Sequence, residues 1–308
     1  MSWKRINKIF EPTGEFSWSK SHAQVPVPVY LKELDVLRVF FSTRDLNSRT
    51  HTSFVDLSAK DPSKILYVHD KPVMELGEIG AFDDCGVMAS CVIKVKNELW
   101  MYYIGWNKAT SVPFRNSIGL AVSKDNGLTF SKYSEGPILD RSIHDICFVA
   151  SNCVIKEKNF YRMYYLSCNK WEYVDGKLCH YYNIKYAESI DAINWFREGK
   201  VCIDFKHKGE YAISAPRIIK ENGMYKMWYS FRGNDEVKTY RIGYSESVNG
   251  IDWIRNDEKV LLNTSPKGSW DSDMLCYPFL IDYSDKRYML YNGNDYGKSG
   301  IGLAMLDK

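Results

Sequence analysis

The chain contains no apolar run long enough to cross a bilayer. Its opening, Met-Ser-Trp-Lys-Arg-Ile-Asn-Lys, lacks the apolar core of a secretion signal. Both absences lead us to expect a cytoplasmic protein without a membrane span. The net charge is only +3 and no concentrated run of Lys or Arg occurs, which argues against nucleic acid as a partner. No CxxC occurs, and no Cys/His cluster has zinc-ligand spacing, so we expect neither metal nor cofactor. The eight cysteines do not read as a disulfide framework either. Cys85 and Cys147 stand 62 residues apart, as do Cys91 and Cys153, which marks them as repeated small core residues.

Aromatics, by contrast, are abundant. They make up 15% of the chain, with 22 Tyr and 9 Trp. Rings pack well on pleated surfaces, and they also stack on the apolar faces of sugars. Composition does not separate these two uses.

One strand pattern recurs five times. Ala-Ser-Cys-Val-Ile-Lys (89–94) precedes Leu-Trp-Met-Tyr-Tyr (99–103), and Ser-Asn-Cys-Val-Ile-Lys (151–156) precedes Tyr-Arg-Met-Tyr-Tyr (161–165). Ala-Pro-Arg-Ile-Ile-Lys (215–220) precedes Tyr-Lys-Met-Trp-Tyr (225–229), and Tyr-Pro-Phe-Leu-Ile-Asp (277–282) precedes Arg-Tyr-Met-Leu-Tyr (287–291). A weaker copy, Val-Pro-Val-Tyr-Leu-Lys (27–32) and Leu-Arg-Val-Phe-Phe (37–41), comes first. Pro28, Ser90, Asn152, Pro216 and Pro278 form one column, with steps of 62, 62, 64 and 62 residues. Self-similarity at a fixed period is the signature of a repeat architecture.

Each copy reads as two strands around a polar turn, then a third strand such as Ser-Ile-Gly-Leu-Ala-Val (117–122). In three copies a turn ending at Phe130, Trp195 or Trp253 leads to a fourth strand. Four antiparallel strands repeated radially make a propeller blade. We therefore expect an all-β, five-bladed β-propeller forming a single domain over 1–308. Its blades would span about 20–75, 82–140, 144–205, 210–263 and 271–306. The N-terminal segment 3–10 resembles the fourth-strand segment 253–260 and would complete the last blade, protecting a sheet edge.

The start of each first strand and the end of each second strand should share one face of such a ring. That face gathers ionisable, amide and Trp side chains. Asp84, Glu210 and Asp273 stand at first-strand entrances, near Asp83, Asp145 and Asp271. Such residues are either turn formers or, in pairs, groups for acid, base or nucleophilic chemistry. We take Asp84, Glu210 and Asp273 as candidate catalytic groups. Arg44, Arg115 and Lys170 would hold an anionic part such as a phosphate or uronate, with Trp106 and Trp171 as sugar platforms. His22, Asp45, Asn107, Arg217, Arg232, Asn292 and Asn294 complete the candidate binding set.

The segments Phe-Phe-Ser-Thr-Arg-Asp (40–45), Trp-Met-Tyr-Tyr-Ile-Gly-Trp-Asn (100–107), Tyr-Lys-Met-Trp-Tyr-Ser (225–230) and Ser-Glu-Ser-Val-Asn-Gly-Ile-Asp-Trp (245–253) make the chain resemble a known superfamily. This is the five-bladed propeller superfamily of carbohydrate-active enzymes: arabinanases and xylosidases, invertases and levansucrases, and mannoside phosphorylases. It looks most like members found among bacterial surface-polysaccharide genes. The resemblance implies a glycan-active enzyme, glycoside hydrolase-like, or a phosphorylase or transferase, acting on a sugar or sugar nucleotide. The alternatives are a non-catalytic carbohydrate-binding propeller and a protein-interaction propeller. The sequence departs from the family at the catalytic positions. These hold Val27, Ala89, Ser151 and Ala215, none acidic, and Ala215-Pro216-Arg217 keeps only the end of the phosphorylases' Glu-Asp-Pro-Arg motif.

Overall fold

A computed structural model describes residues 1–234 and 237–306. The fold is all-β. Strand β1 (Trp3–Phe10) is followed by five sets of strands. The first set is β2 (Ser21–Leu31), β3 (Val36–Arg44), β4 (Thr50–Ser58) and β5 (Ile65–Val68). The second is β6 (Gly86–Val95), β7 (Glu98–Lys108), β8 (Phe114–Ser123) and β9 (Ser131–Lys132). The third is β10 (Phe148–Lys156), β11 (Tyr161–Val174), β12 (Lys177–Ser189) and β13 (Val201–Ile203). The fourth is β14 (Glu210–Glu221), β15 (Met224–Gly233), β16 (Arg241–Ser247) and β17 (Ile254–Arg255). The last has three strands, β18 (Cys276–Tyr283), β19 (Lys286–Asn292) and β20 (Ile301–Leu306), and β1 pairs antiparallel with β20 as its fourth.

Hydrogen bonding groups these strands into three sheets rather than five, and no closed barrel forms. The reason is local. Single parallel bridges, Thr50 with Gly86 and Tyr182 with Ala212, join the first unit to the second and the third to the fourth. Within each unit all pairing is antiparallel.

Alternation along the second strands explains how the units pack. Successive strand residues point to opposite faces, and here both faces are covered, so the strand reads as a continuous apolar run. In β7, Met101 and Tyr103 pack toward the first unit while Tyr102 packs toward the third. Met163 and Tyr165 of β11 face the second unit and Tyr164 the fourth. Met227 and Tyr229 face the third unit and Trp228 the fifth. Met289 and Tyr291 face the fourth and Leu290 the first, where it meets Val39 and Phe41. The apolar cores therefore lie between units, and the core joining the fifth unit to the first completes the circuit. Truncating any of these buried methionines to Ala costs about 2–5 kcal/mol.

Polar side chains tie the same neighbours together. The Thr52 hydroxyl donates to Val87 O and accepts from Ala89 N (2.9 and 3.1 Å). Ser90 accepts from Asn152 N, Ser151 from Ala215 N and Ser230 from Tyr277 N (2.8, 2.9 and 2.8 Å). Asn292 closes the series, accepting from Val25 N and donating to Ala23 O (2.8 and 2.7 Å). Each first strand also has a register shift near its middle. Three of these irregularities place a residue with positive φ directly before proline: Val25 (52°), Ala215 (52°) and Tyr277 (54°). A β-branched residue in that region is strained by roughly 1–3 kcal/mol.

Candidate functional site

The first-strand acids have an internal role that the sequence reading missed. Asp83, Asp145, Glu210 and Asp271 are all buried. Tyr103 donates to Asp83 (2.9 Å), Tyr165 to Asp145 (3.3 Å) and Tyr291 to Asp271 (3.0 Å), each across 20 residues of chain. A cation from the fourth strand or its approach completes each group: Lys132 to Asp83 (2.7 Å), Arg197 to Asp145 (3.2 Å) and Arg5 to Asp271 (2.7 Å). In the fourth unit Arg255 grips Glu210 through two bonds (2.6 and 2.9 Å) and also holds Asp257 (2.7 Å), to which Tyr229 donates (2.5 Å). These acid–tyrosine–cation groups act as pins that lock strands two and four of a unit to the entrance of strand one. The first unit lacks the group because Phe41 occupies the tyrosine column and packs on Phe10 at 4.8 Å.

Glycine makes room for the pins. A Cβ on Gly119 would stand 2.2 Å from the Tyr103 ring, and one on Gly302 would stand 2.2 Å from Trp270 and 2.9 Å from Tyr291. The third unit has Lys185 at the matching place, and its ammonium lies 3.6 Å from Asp145.

The three candidate catalytic acids do not come together. Glu210 is sealed under Arg255. Asp84 is half-buried and accepts from Gly80 N at 2.9 Å, while its Oδ1 is buried without a partner. Asp273 is exposed, its N–H bonded to Asn294 Oδ1 at 2.8 Å.

A cavity of about 490 Å³ opens where the five units meet. Gln24, Val25, Arg44 and Thr50 come from the first unit and Met88, Trp106, Phe114 and Asn116 from the second. The third contributes Phe148, Ser151, His180 and Tyr182, the fourth Ser214, Arg232 and Tyr240, and the fifth Tyr277 and Tyr296. Among the described residues lining it there is no Asp or Glu. A second cavity, about 590 Å³, is a groove on the flank of the second unit alone.

Two arginines reach the central cavity without a carboxylate. Arg44 donates from Nε to Gln24 Oε1 (3.3 Å) and pairs with no carboxylate among the described residues. Arg232 donates to Tyr296 Oη (2.5 Å) and lies against the rings of Tyr240, Tyr211 and Tyr296, with centres 4.8, 5.2 and 5.5 Å away. Its Nε is buried and unpartnered. The Tyr182 and Tyr240 hydroxyls bond to each other beside it. His180 lies among Phe114, Phe148, Trp171 and Tyr182. Burial, helped by the charge of Arg232, pushes His180 down to about 4. The imidazole is therefore neutral at pH 7, and its buried Nδ1 has no partner.

Of the sequence candidates, Arg44, Trp106 and Arg232 line this cavity. Trp106 is held by a bond from Nε1 to Thr50 Oγ1 (3.0 Å). Trp171 backs the cavity wall, 5.3 Å from the Phe114 ring and 4.7 Å from His180. His22 is half-buried, bonded to Ser21 Oγ (2.8 Å), and held neutral by burial and by Arg44, which push it down to about 4. Other candidates are occupied structurally. Asp45 caps its own turn through Asn47 N and Arg49 N, and Asn292 ties the fifth unit to the first. Asn294 accepts from Asp273 N and Met274 N. Lys170 pairs with Glu172 (2.9 Å) at the surface. Arg115 is exposed, opposite Asn107 in the β7–β8 pairing, while its neighbours Phe114 and Asn116 line the cavity. Arg217 is buried in β14, outside the lining.

The cavity-lining His180 and tyrosines fall outside the sequence candidates, since the strand pattern assigns residues such as Tyr182 to packing. Their signal is the alternation of His180 and Tyr182 on β12, which puts both on one face.

Comparison with known proteins places this geometry in context. No family model matches the chain. Solved structures share the fold over nearly its full length. A glycosyl hydrolase from Bacteroides ovatus covers 99% of this chain and 94% of its own, with TM-score 0.75 at 14% identity. A thermostable family-43 glycoside hydrolase covers 94% and 90%, with TM-score 0.65 at 16% identity. A structure from the GH130 family of mannoside phosphorylases, which contains glycoside hydrolases targeting β-1,2 mannosidic linkages in Candida mannan, covers 99% and 94%, with TM-score 0.68 at 14% identity. Among curated proteins, Rv1502 of Mycobacterium tuberculosis is 36% identical over 307 residues, spanning all of both chains. At that identity and coverage, this chain belongs to the same protein family as mycobacterial Rv1502.

Proposed function

We propose that the chain is a five-bladed propeller of glycan metabolism whose central cavity takes a sugar carrying a negatively charged group. The observation that supports this most directly is the convergence of Arg44 and Arg232 on an aromatic cavity with no lining carboxylate. Both guanidiniums keep donors free of any acidic partner among the described residues. A phosphate or carboxylate on the ligand would supply the missing charge through charge-assisted bonds. Trp106 and the tyrosines would take the sugar's apolar faces. Sugar phosphates, uronic acids and nucleotide sugars all carry such a group. A surface-polysaccharide setting fits such ligands, since activated and acidic sugars are its building blocks.

The test is a binding panel by calorimetry. Anionic sugars should bind at least about tenfold more tightly than their neutral counterparts, and Arg232→Met should remove that preference, since a charged bond contributes about 1.5–3 kcal/mol. Equal binding of neutral and anionic sugars would overturn the reading.

A second reading is glycoside hydrolase or phosphorylase chemistry from the loop acids. The buried, unpartnered Oδ1 of Asp84 favours it. If a glycan-processing activity is found, Asp84→Asn and Asp273→Asn test it; activity retained by both variants would exclude these acids.

A further inference from the structure

Arg217 is a buried charge of a different kind. It is only 3% exposed and lies on β14, three residues beyond the cavity-lining Ser214. It thus sits below the cavity, in the channel that the first strands surround. One terminal nitrogen donates to the main-chain oxygens of Asn152 (2.7 Å) and Pro216 (2.8 Å), and the guanidinium rests over Phe279, 4.7 Å from the ring centre. No carboxylate pairs with it among the described residues, and its buried Nε–H has no acceptor. Arg38 makes the contrast. It is equally buried, yet it is matched by two bonds to Asp56 (2.8 and 2.7 Å). Both side-chain polar atoms of Asn152 are also buried and unpartnered, so a second free donor accompanies the residue that Arg217 touches.

We propose that this layer of the channel binds a small monovalent anion of the halide class as the counter-charge of Arg217. An isolated buried cation is strongly unfavourable unless it is paired. One positive charge matches one negative charge; a phosphate dianion would leave excess charge among apolar neighbours. The repeat column containing Arg217 is otherwise Val29, Cys91, Cys153 and Phe279, which suits a weakly hydrated, polarisable ion. The site is separate from the sugar cavity, since neither Arg217 nor Asn152 lines it.

Cys153 is the rival counter-charge. The neighbouring Cys91 thiol and then the field of Arg217 draw its thiol below the ordinary thiol range, against the upward push of burial. The geometry favours the external anion, because the guanidinium makes no hydrogen bond to either sulfur among the described residues.

Thermal melting at constant ionic strength tests the proposal, with sodium bromide or chloride replacing sodium methanesulfonate, which is not a sugar acid and so does not belong to the ligand class of the central cavity. Wild type should gain a few degrees and saturate, as expected for an ion bound only by the folded state, while Arg217→Met should show no halide-specific gain. A crystal soaked in bromide should show an anomalous peak beside the guanidinium, which keeps the test open should Arg217→Met fail to fold. An equal halide response in Arg217→Met, or no bromide at Arg217, would overturn the proposal. So would thiolate absorbance at 240 nm that is lost in Cys153→Ser, in a protein without a halide response.

Discussion

Replacing Glu210 by Gln separates a structural acid from a catalytic one. In the folded protein Glu210 is 3% exposed, and its two oxygens meet Arg255 at 2.6 and 2.9 Å. It also accepts from Lys206 N at 2.8 Å. The Gln carbonyl can keep the Lys206 bond, but the amide NH₂ would then face guanidinium donors. Breaking a buried ion pair by removing one partner costs about 3–5 kcal/mol. Arg255 retains Asp257 at 2.7 Å, so the lower end applies, about 3 kcal/mol. For a chain of 308 residues that corresponds to a fall in Tm of roughly 5 °C. Urea unfolding should show the same loss as a lower midpoint with unchanged slope, and binding of an anionic sugar in the central cavity should be unaffected. If Glu210→Gln melted like wild type while abolishing a glycan-processing activity, the carboxylate would be acting on substrate and the structural assignment would fail.

Gly119→Ala should lower Tm at least as much, because its Cβ would fall 2.2 Å from the Tyr103 ring and push the tyrosine off Asp83; a melting curve unchanged from wild type would refute the packing argument. Deleting residues 1–12 removes β1 and Arg5, leaves Asp271 buried without its cation, and exposes the β20 edge, so the truncated protein should unfold more readily or fail to accumulate as a folded monomer. Stability should also fall below neutral pH. His180 stays neutral in the folded state down to about pH 4 but takes its proton near pH 6.5 when unfolded. The unfolded state therefore binds more protons between these values, and up to about 3 kcal/mol is lost as pH drops through that window. His180→Phe should flatten that part of the profile in urea titrations at pH 4, 5, 6 and 7.

Much of this architecture is written in the chain because its packing is periodic. The Met-Tyr-Tyr runs mark strands buried on both faces, and the step of 62 or 64 residues follows from five units of similar strand composition. The segment from Trp3 pairs with β20 for a reason visible in the residues: Phe130-x-Lys132, Trp195-x-Arg197, Trp253-x-Arg255 and Trp3-x-Arg5 each place a cation two residues after an aromatic, within reach of a first-strand acid. The same pattern, joined to the spacing from Asp to Tyr, marks the pins in the amino-acid sequence alone. Read singly, those acids looked like candidates for chemistry. The cavity was harder to find. Its residues come from all five units, and no single strand contributes more than three of them. His180 and Tyr182 acquire meaning only when β12 is placed beside Arg232 and Phe148.

The pins and the cavity are two sides of one distribution of charge. Four first-strand acids lie outside the cavity lining and are paired with Lys or Arg from the fourth strands or their approaches. The centre itself keeps Arg44, Arg232 and, deeper, Arg217, with no carboxylate among the described residues that line the cavity. Both nearby imidazoles are neutral at pH 7, so they neither add to that positive potential nor cancel it. In a low-dielectric cavity the field of unpaired arginines is weakly screened, and an anionic ligand gains most where no protein acid competes for them. A hydrolase built on paired carboxylates needs the opposite arrangement, with the acids aimed inward at the scissile bond. Mutating a pin and mutating the cavity should therefore dissociate cleanly: Asp271→Asn changes melting without changing ligand affinity, whereas Arg44→Met weakens anionic ligands with little change in melting. A protein in which Asp271→Asn abolished binding at unchanged stability would show that the two charge systems are not separate.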